Sequence, residues 1–159
     1  YYNIKMEKKI FTIILLIFLS SCGYEAIHSK KNVINYNFSI KEINFSGDRY
    51  VNLKIKEKLN NYISNKKDKD FILKISTTSN KVISSKNISG NATSYKNTIT
   101  VNVETLMNNK IKESFKIIES FNYNNDSNKI NLKKYEKEII RNLSETAVSN
   151  IIFKLSKIQ

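Results

Sequence analysis

Cys22 is the residue whose chemistry is most sharply defined by its neighbours. Leu19-Ser20-Ser21-Cys22 closes an apolar run from Ile10 to Leu19 that Lys5, Lys8 and Lys9 precede. A basic region, a short apolar core and small residues before a cysteine make up the three-part layout of a secretory signal ending in a bacterial lipobox. In that setting the thiol accepts a diacylglycerol, and cleavage before Cys22 frees an amine for a further acyl chain. Two or more chains hold a protein on a bilayer stably, at about 0.8 kcal/mol per buried CH2, where one alone is marginal. The apolar run is too short to span a membrane, which takes about 20 residues. Residues 1–21 therefore read as a lipoprotein signal peptide, with residues 1–5 lying ahead of the candidate initiator Met6. Gly23 follows the cysteine where an aspartate would signal inner-membrane retention, which favours the periplasmic side of the outer membrane.

Other reactive constellations are missing from the sequence. His28 is the single histidine and Cys22 the single cysteine, so a Ser-His-Asp triad, an internal disulfide and a zinc site all lack their parts. Glu136 and Glu138 fall on different faces of a helix, and Asp68 and Asp70 lie in a lysine-rich turn, which suits solvated charge better than paired general acids and bases. The sequons at Asn87 and Asn91 are incidental in a bacterial lipoprotein. The expectation is a non-enzyme with no metal and no cofactor beyond a covalent lipid on Cys22.

Charge offers a second kind of chemistry. Twenty-seven basic residues against 14 acids give +13, and removing residues 1–21 takes away three lysines and one glutamate, leaving +11 on 138 residues. Such a balance suits an anionic partner. Codon bias competes with that reading, since 25 of the basic residues are lysine and asparagine occurs 23 times.

These residues need elements to hold them. Residues 22–37 are polar and basic without a clear period and read as a tether. Phe38 and Ile40, then Ile43 and Phe45 in the opposite phase, predict a strand with a bulge around Lys41 and Glu42. Asp48 is placed to cap a helix from about Arg49 to Ser64, with Val51, Ile55, Leu59 and Tyr62 on its inner face. Phe71, Leu73 and Ile75 predict a half-buried strand, and Val82 and Ile83 begin a weaker third one. Ser85–Asn91 reads as a hairpin tip with Gly90 available for positive φ. In the clearest strand Tyr95, Asn97, Ile99, Val101 and Val103 share one face, while Lys96, Thr98, Thr100, Asn102 and Glu104 share the other. A turn at Met107–Lys110 leads to a partner strand with Phe115, Ile117, Phe121 and Tyr123. From Leu132 to Ile158 the step of Leu132, Tyr135, Ile139, Leu143, Ala147, Ile151 and Leu155 predicts an amphipathic helix of about 27 residues. Residues 38–159 thus form one α+β two-layer sandwich, a mixed sheet of about four strands covered by two helices, in the order β-α-β-β-β-(β)-α.

Taken in order, Cys22-Gly23-Tyr24, Phe45-Ser46-Gly47-Asp48-Arg49, Ala92-Thr93-Ser94-Tyr95 before Ile99-Thr100-Val101, Phe121-Asn122-Tyr123 and the terminal Leu132-x-x-Tyr135-Glu136 resemble the LPS-assembly lipoprotein family LptE. That resemblance implies a sheet covered by two helices and an outer-membrane, lipid-anchored protein. Its partners would be an LptD-like translocon barrel, which it plugs, and lipopolysaccharide bound for the outer leaflet. It further implies lipopolysaccharide contacts near a hairpin tip and before the last helix, where Lys86, Lys129 and Lys133 are the nearest matches. A polar barrel lumen would suit the face of Lys96, Thr98 and Thr100. A double-stranded-RNA-binding domain shares the order helix, three strands, helix, but an export signal argues against a nucleic-acid partner. The nearer alternative is another outer-membrane lipoprotein acting as a pilot or assembly adaptor.

Overall fold

A computed structural model of the chain describes residues 37–63 and 69–158. The expected signal peptide, Cys22, His28 and nearly all of the expected tether lie outside the described residues. The first strand, β1 (Ser39–Gly47), carries the expected bulge: Ile40 pairs with Phe71 and Glu42 with Ile72, so Lys41 is the extra residue. The bulge is what lets Phe38 and Ile40 face the core before it while Ile43 and Phe45 face the core after it, reversing the sequence phase.

At the end of β1 the chain turns on Gly47, whose φ is +90°. A Cβ there would stand 1.9 Å from the Thr77 carbonyl oxygen, so the strand end approaches its neighbour more closely than any side chain permits. Asp48 follows as the cap of α1 (Arg49–Leu59), its carboxylate accepting from the amides of Tyr50 and Val51 at 2.9 Å each. Val51, Ile55 and Leu59, one turn apart, are the buried residues of this helix. The helix gives way at Asn60 to a single 3-10 turn, Asn60–Tyr62, earlier than the Ser64 end expected from the sequence. Tyr62 then stacks on Phe38, with centroids 6.3 Å apart.

The remaining strands are β2 (Asp70–Lys86), β3 (Ala92–Met107) and β4 (Lys110–Asn124). They form one sheet in the order β1-β2-β3-β4, with β1 parallel to β2 and the others antiparallel. The sequence suggested a break before Val82, but β2 runs through. Thr77 to Ser79 interrupt the apolar alternation without interrupting the ladder, because β3 pairs with the whole stretch. At the β3–β4 turn Asn108 and Asn109 take φ of 51° and 62°, the left-handed pair that a two-residue hairpin loop requires.

Helix α2 (Lys129–Lys157) has 29 residues, an Asn128 cap, and Lys154 and Lys157 in its last turn, where cations suit the carbonyl end. The expected stripe is buried except for Tyr135, which is 48% exposed and meets the Tyr123 ring edge-on. Ser144, Val148 and Ile152 are also buried, a second row that widens the stripe where α2 lies against α1 as well as the sheet. Lys58 and Glu145 pair between the helices at 3.0 Å, and Lys69 donates to the Ile158 carbonyl at 2.8 Å. The core lies between the helices and one sheet face: Phe71, Leu73 and Ile75 from β2, Ile99, Val101 and Val103 from β3, and Ile117 from β4.

Candidate functional site

The lysines near the hairpin tip and the last helix are brought to one end of the fold by backbone pairing. Gly90, at φ +82°, closes the tip, and its amide donates to the Asn87 carbonyl at 2.9 Å. Lys86 pairs with Ala92. The Ala92 carbonyl accepts from the Asn125 amide side chain at 2.8 Å, and the Thr93 carbonyl accepts from the Asn125 backbone at 2.8 Å. Lys129 in turn donates to Asn125 Oδ1 and to the Asp126 carbonyl, both at 3.1 Å. Its ammonium thus ties the loop before α2 while remaining exposed. Lys133 stands one turn further along α2, also exposed. No contact joins the three side chains; what they share is an end of the molecule.

Beside them a groove of about 690 Å³ opens between the end of β4 and the start of α2, lined by Phe121, Asn125, Asn131, Leu132 and Tyr135 among others. Behind it lies a polar cluster that sequence reasoning did not single out. Tyr123 donates to Glu136 at 2.9 Å, Lys81 pairs with the same Glu136 oxygen at 2.5 Å, and the Lys81 ammonium stands 4.1 Å from the centroid of the Tyr95 ring. Asn97, 4% exposed, accepts a long bond of 3.4 Å from the Tyr123 hydroxyl. Burial, followed by the bond to the Glu136 carboxylate, holds the Tyr123 phenol protonated far above its ordinary range. The cluster links β2, β3, β4 and α2, and its chemistry is structural, since each polar group already has its partner.

The second candidate group lies on the sheet face away from the helices. Lys96 pairs with Val82 and Asn122, Thr98 with Asn80 and Ser120, and Thr100 with Thr78 and Ile118. Paired residues share a face, so these rows make a continuous, mostly polar surface across three strands. Among the described residues no element covers it. Among them, too, no group of three His, Cys, Asp or Glu side chains could hold a metal ion, and no helix is long and apolar enough to cross a membrane.

Comparison with solved structures finds a similar fold in several bacterial lipoproteins. Rare lipoprotein B from Shewanella oneidensis superposes with a TM-score of 0.53 at 18% identity, over 72% of this chain and 93% of that one. Lipoprotein B from Nitrosomonas europaea gives 0.53 at 13% identity, over 76% and 86%. A minor lipoprotein from Acinetobacter baumannii gives 0.50 at 15% identity, over 72% and 92%. At these identities the likeness speaks for the fold alone. Comparison with curated proteins finds no match. The family model described as LptE, lipopolysaccharide-assembly, matches residues 38–155, which span every strand and all but the last two residues of α2, and the chain therefore belongs to the LptE lipopolysaccharide-assembly family.

Proposed function

We propose that the domain assembles with an LptD-like outer-membrane barrel as its plug and helps deliver lipopolysaccharide to the outer leaflet, tethered on the periplasmic side through acyl chains on Cys22. It acts without catalysis. The observation that carries this reading is the sheet: one face packs on two helices, and the other presents Lys96, Thr98 and Thr100 in mostly polar rows that no element among the described residues covers. A large barrel has a polar interior, and a flat hydrogen-bonding surface is what such a wall can hold. A photo-crosslinker at Thr100 is expected to trap one large outer-membrane protein. Crosslinks confined to soluble periplasmic proteins would replace the plug by an assembly adaptor.

Lipopolysaccharide is polyanionic, and ammonium groups attract phosphate as point charges. Lys86, Lys129 and Lys133, gathered at one end, supply the contact in this reading. Replacing all three by Gln should weaken binding to purified lipopolysaccharide roughly tenfold, equivalent to about 1.4 kcal/mol. A control triple, Lys56, Lys110 and Lys112 to Gln, removes the same charge elsewhere and should change binding less than about twofold. Binding should also weaken as salt rises, since exposed charges are screened beyond about 8 Å at physiological ionic strength. Equal losses from both triples would mean that net charge alone attracts the ligand.

A further inference from the structure

Strand β2 outlasts its neighbour. The β1 ladder ends where Gly47 pairs with Thr77, and the positive φ of Gly47 then carries the chain away into α1. From Thr78 to Ile83, β2 pairs in regular register with β3 on one side, and from Ser84 to Lys86 bulges interrupt that register; among the described residues nothing pairs on the other side. Alternate residues of such an edge turn their amides and carbonyls outward.

Proteins usually guard an edge of this kind with charge. The β4 edge follows that rule, carrying Lys110, Lys112, Glu113, Lys116 and Glu119. The outer half of β2 does not. Its one charge between Thr78 and Ser85 is Lys81, which is drawn onto the helix side by Glu136 and the Tyr95 ring. Val82 and Ile83, β-branched residues of high strand propensity, stand 44% and 49% exposed on opposite faces at the middle of this edge.

We propose that the Thr78–Lys86 edge of β2 receives an extended, acidic segment of a polypeptide partner, which adds to the sheet as a further strand. Charge selects the occupant. From Phe71 to Val103 the chain carries Lys74, Lys81, Lys86 and Lys96 and no aspartate or glutamate, so a second copy of the same arm would bring lysines against lysines. An acidic strand meets Lys86 and Lys96 with opposite sign, covers Val82 and Ile83 from both faces, and satisfies the outward backbone groups, the mode of recognition in which main-chain bonds supply affinity. The edge borders the sheet face assigned above to the barrel wall, sharing Thr78, Asn80 and Val82 with it, and includes Lys86, but it is defined by unpaired backbone groups and stands whether or not those assignments do.

Amide hydrogen exchange of the full chain tests it, with a peptide of alternating Thr and Glu as the probe and an equally charged peptide of alternating Pro and Glu as the comparison. The Thr-Glu peptide should slow the outward amides of Thr78–Lys86 on the order of tenfold, leave residues 71–77 unchanged, and exceed the Pro-Glu peptide, whose prolines cannot donate. The double variant Val82→Lys, Ile83→Lys should lose this protection although it makes the arm more basic. Unaltered exchange in residues 71–77 reports that the variant is folded. Equal protection by both peptides, no protection by either, or the same protection from purified lipopolysaccharide alone would overturn the proposal. So would protection that grows with protein concentration in the absence of peptide, which would assign the edge to self-association.

Discussion

Gly47→Ala should destabilise the domain by at least about 3 kcal/mol, whereas Gly90→Ala, at a glycine of similar backbone angle, should cost only about 1–2 kcal/mol. Both residues sit at positive φ, +90° and +82°, so both substitutions incur the strain of placing an L side chain there. Surroundings separate them. A Cβ on Gly90 meets nothing within 4 Å, while one on Gly47 would stand 1.9 Å from the Thr77 carbonyl oxygen and 2.9 Å from its carbon. Because the obstacle is backbone, relief requires β1 to withdraw from β2. That withdrawal also disturbs the bond from the Asp48 amide to Thr77 O at 3.0 Å, and the bond from the Thr77 hydroxyl to Asn52 at 2.7 Å. Urea unfolding of the two variants measures the contrast directly. Equal losses would show that the close approach is relieved at little cost and that backbone angle alone matters.

Phe71→Ala is expected to cost about 3–5 kcal/mol, the range for emptying an aromatic site in a packed core. Phe71 is wholly buried, pairs with Ile40 across the parallel ladder, and holds the Phe38 ring at a centroid distance of 5.9 Å. Phe38 in turn stacks on Tyr62, so the cavity would also loosen the start of β1 and the end of α1. Phe121→Ala removes the same ring from a site that is 46% exposed and should stay within about 1 kcal/mol. A thermal melt that places Phe71→Ala beside Phe121→Ala would contradict the assignment of the core to the helix side of the sheet.

Where one residue type and its immediate neighbours set the local geometry, the sequence was informative. Asp48 ahead of Val51 and Ile55, the phase reversal between Ile40 and Ile43, and the strict alternation from Asn97 to Val103 each correspond to what the structure contains. Features set by distant partners were hidden. The length of β2 is fixed by β3 rather than by its own polar middle. Tyr95 faces Tyr123 because the β3–β4 ladder shifts register between Thr105 and Leu106, leaving Lys112 as an extra residue. Counting outward from the Asn108-Asn109 turn would instead pair Tyr95 with Asn122, so the cluster around Glu136 could not be found by counting. Lys129 was visible as a basic residue opening a helix, but its ties to Asn125 and Asp126 depend on how the preceding loop folds.

The parallel pairing of β1 and β2 also orders events in time. The meander β2-β3-β4 closes over short turns, so each of its ladders can start from residues beside the turn, Lys86 with Ala92 and Met107 with Lys110, and lengthen outward. β1 meets its partner only after α1 and the segment beyond it have been brought round, and long closures are slow because their entropy is lost before any contact compensates. In a chain that emerges amino terminus first, β1 appears earliest and pairs late. Until β2 arrives, Phe38, Ile40, Ile43 and Phe45 have no sheet to join, which makes this strand the segment most exposed to capture by holding factors or by other unfolded chains.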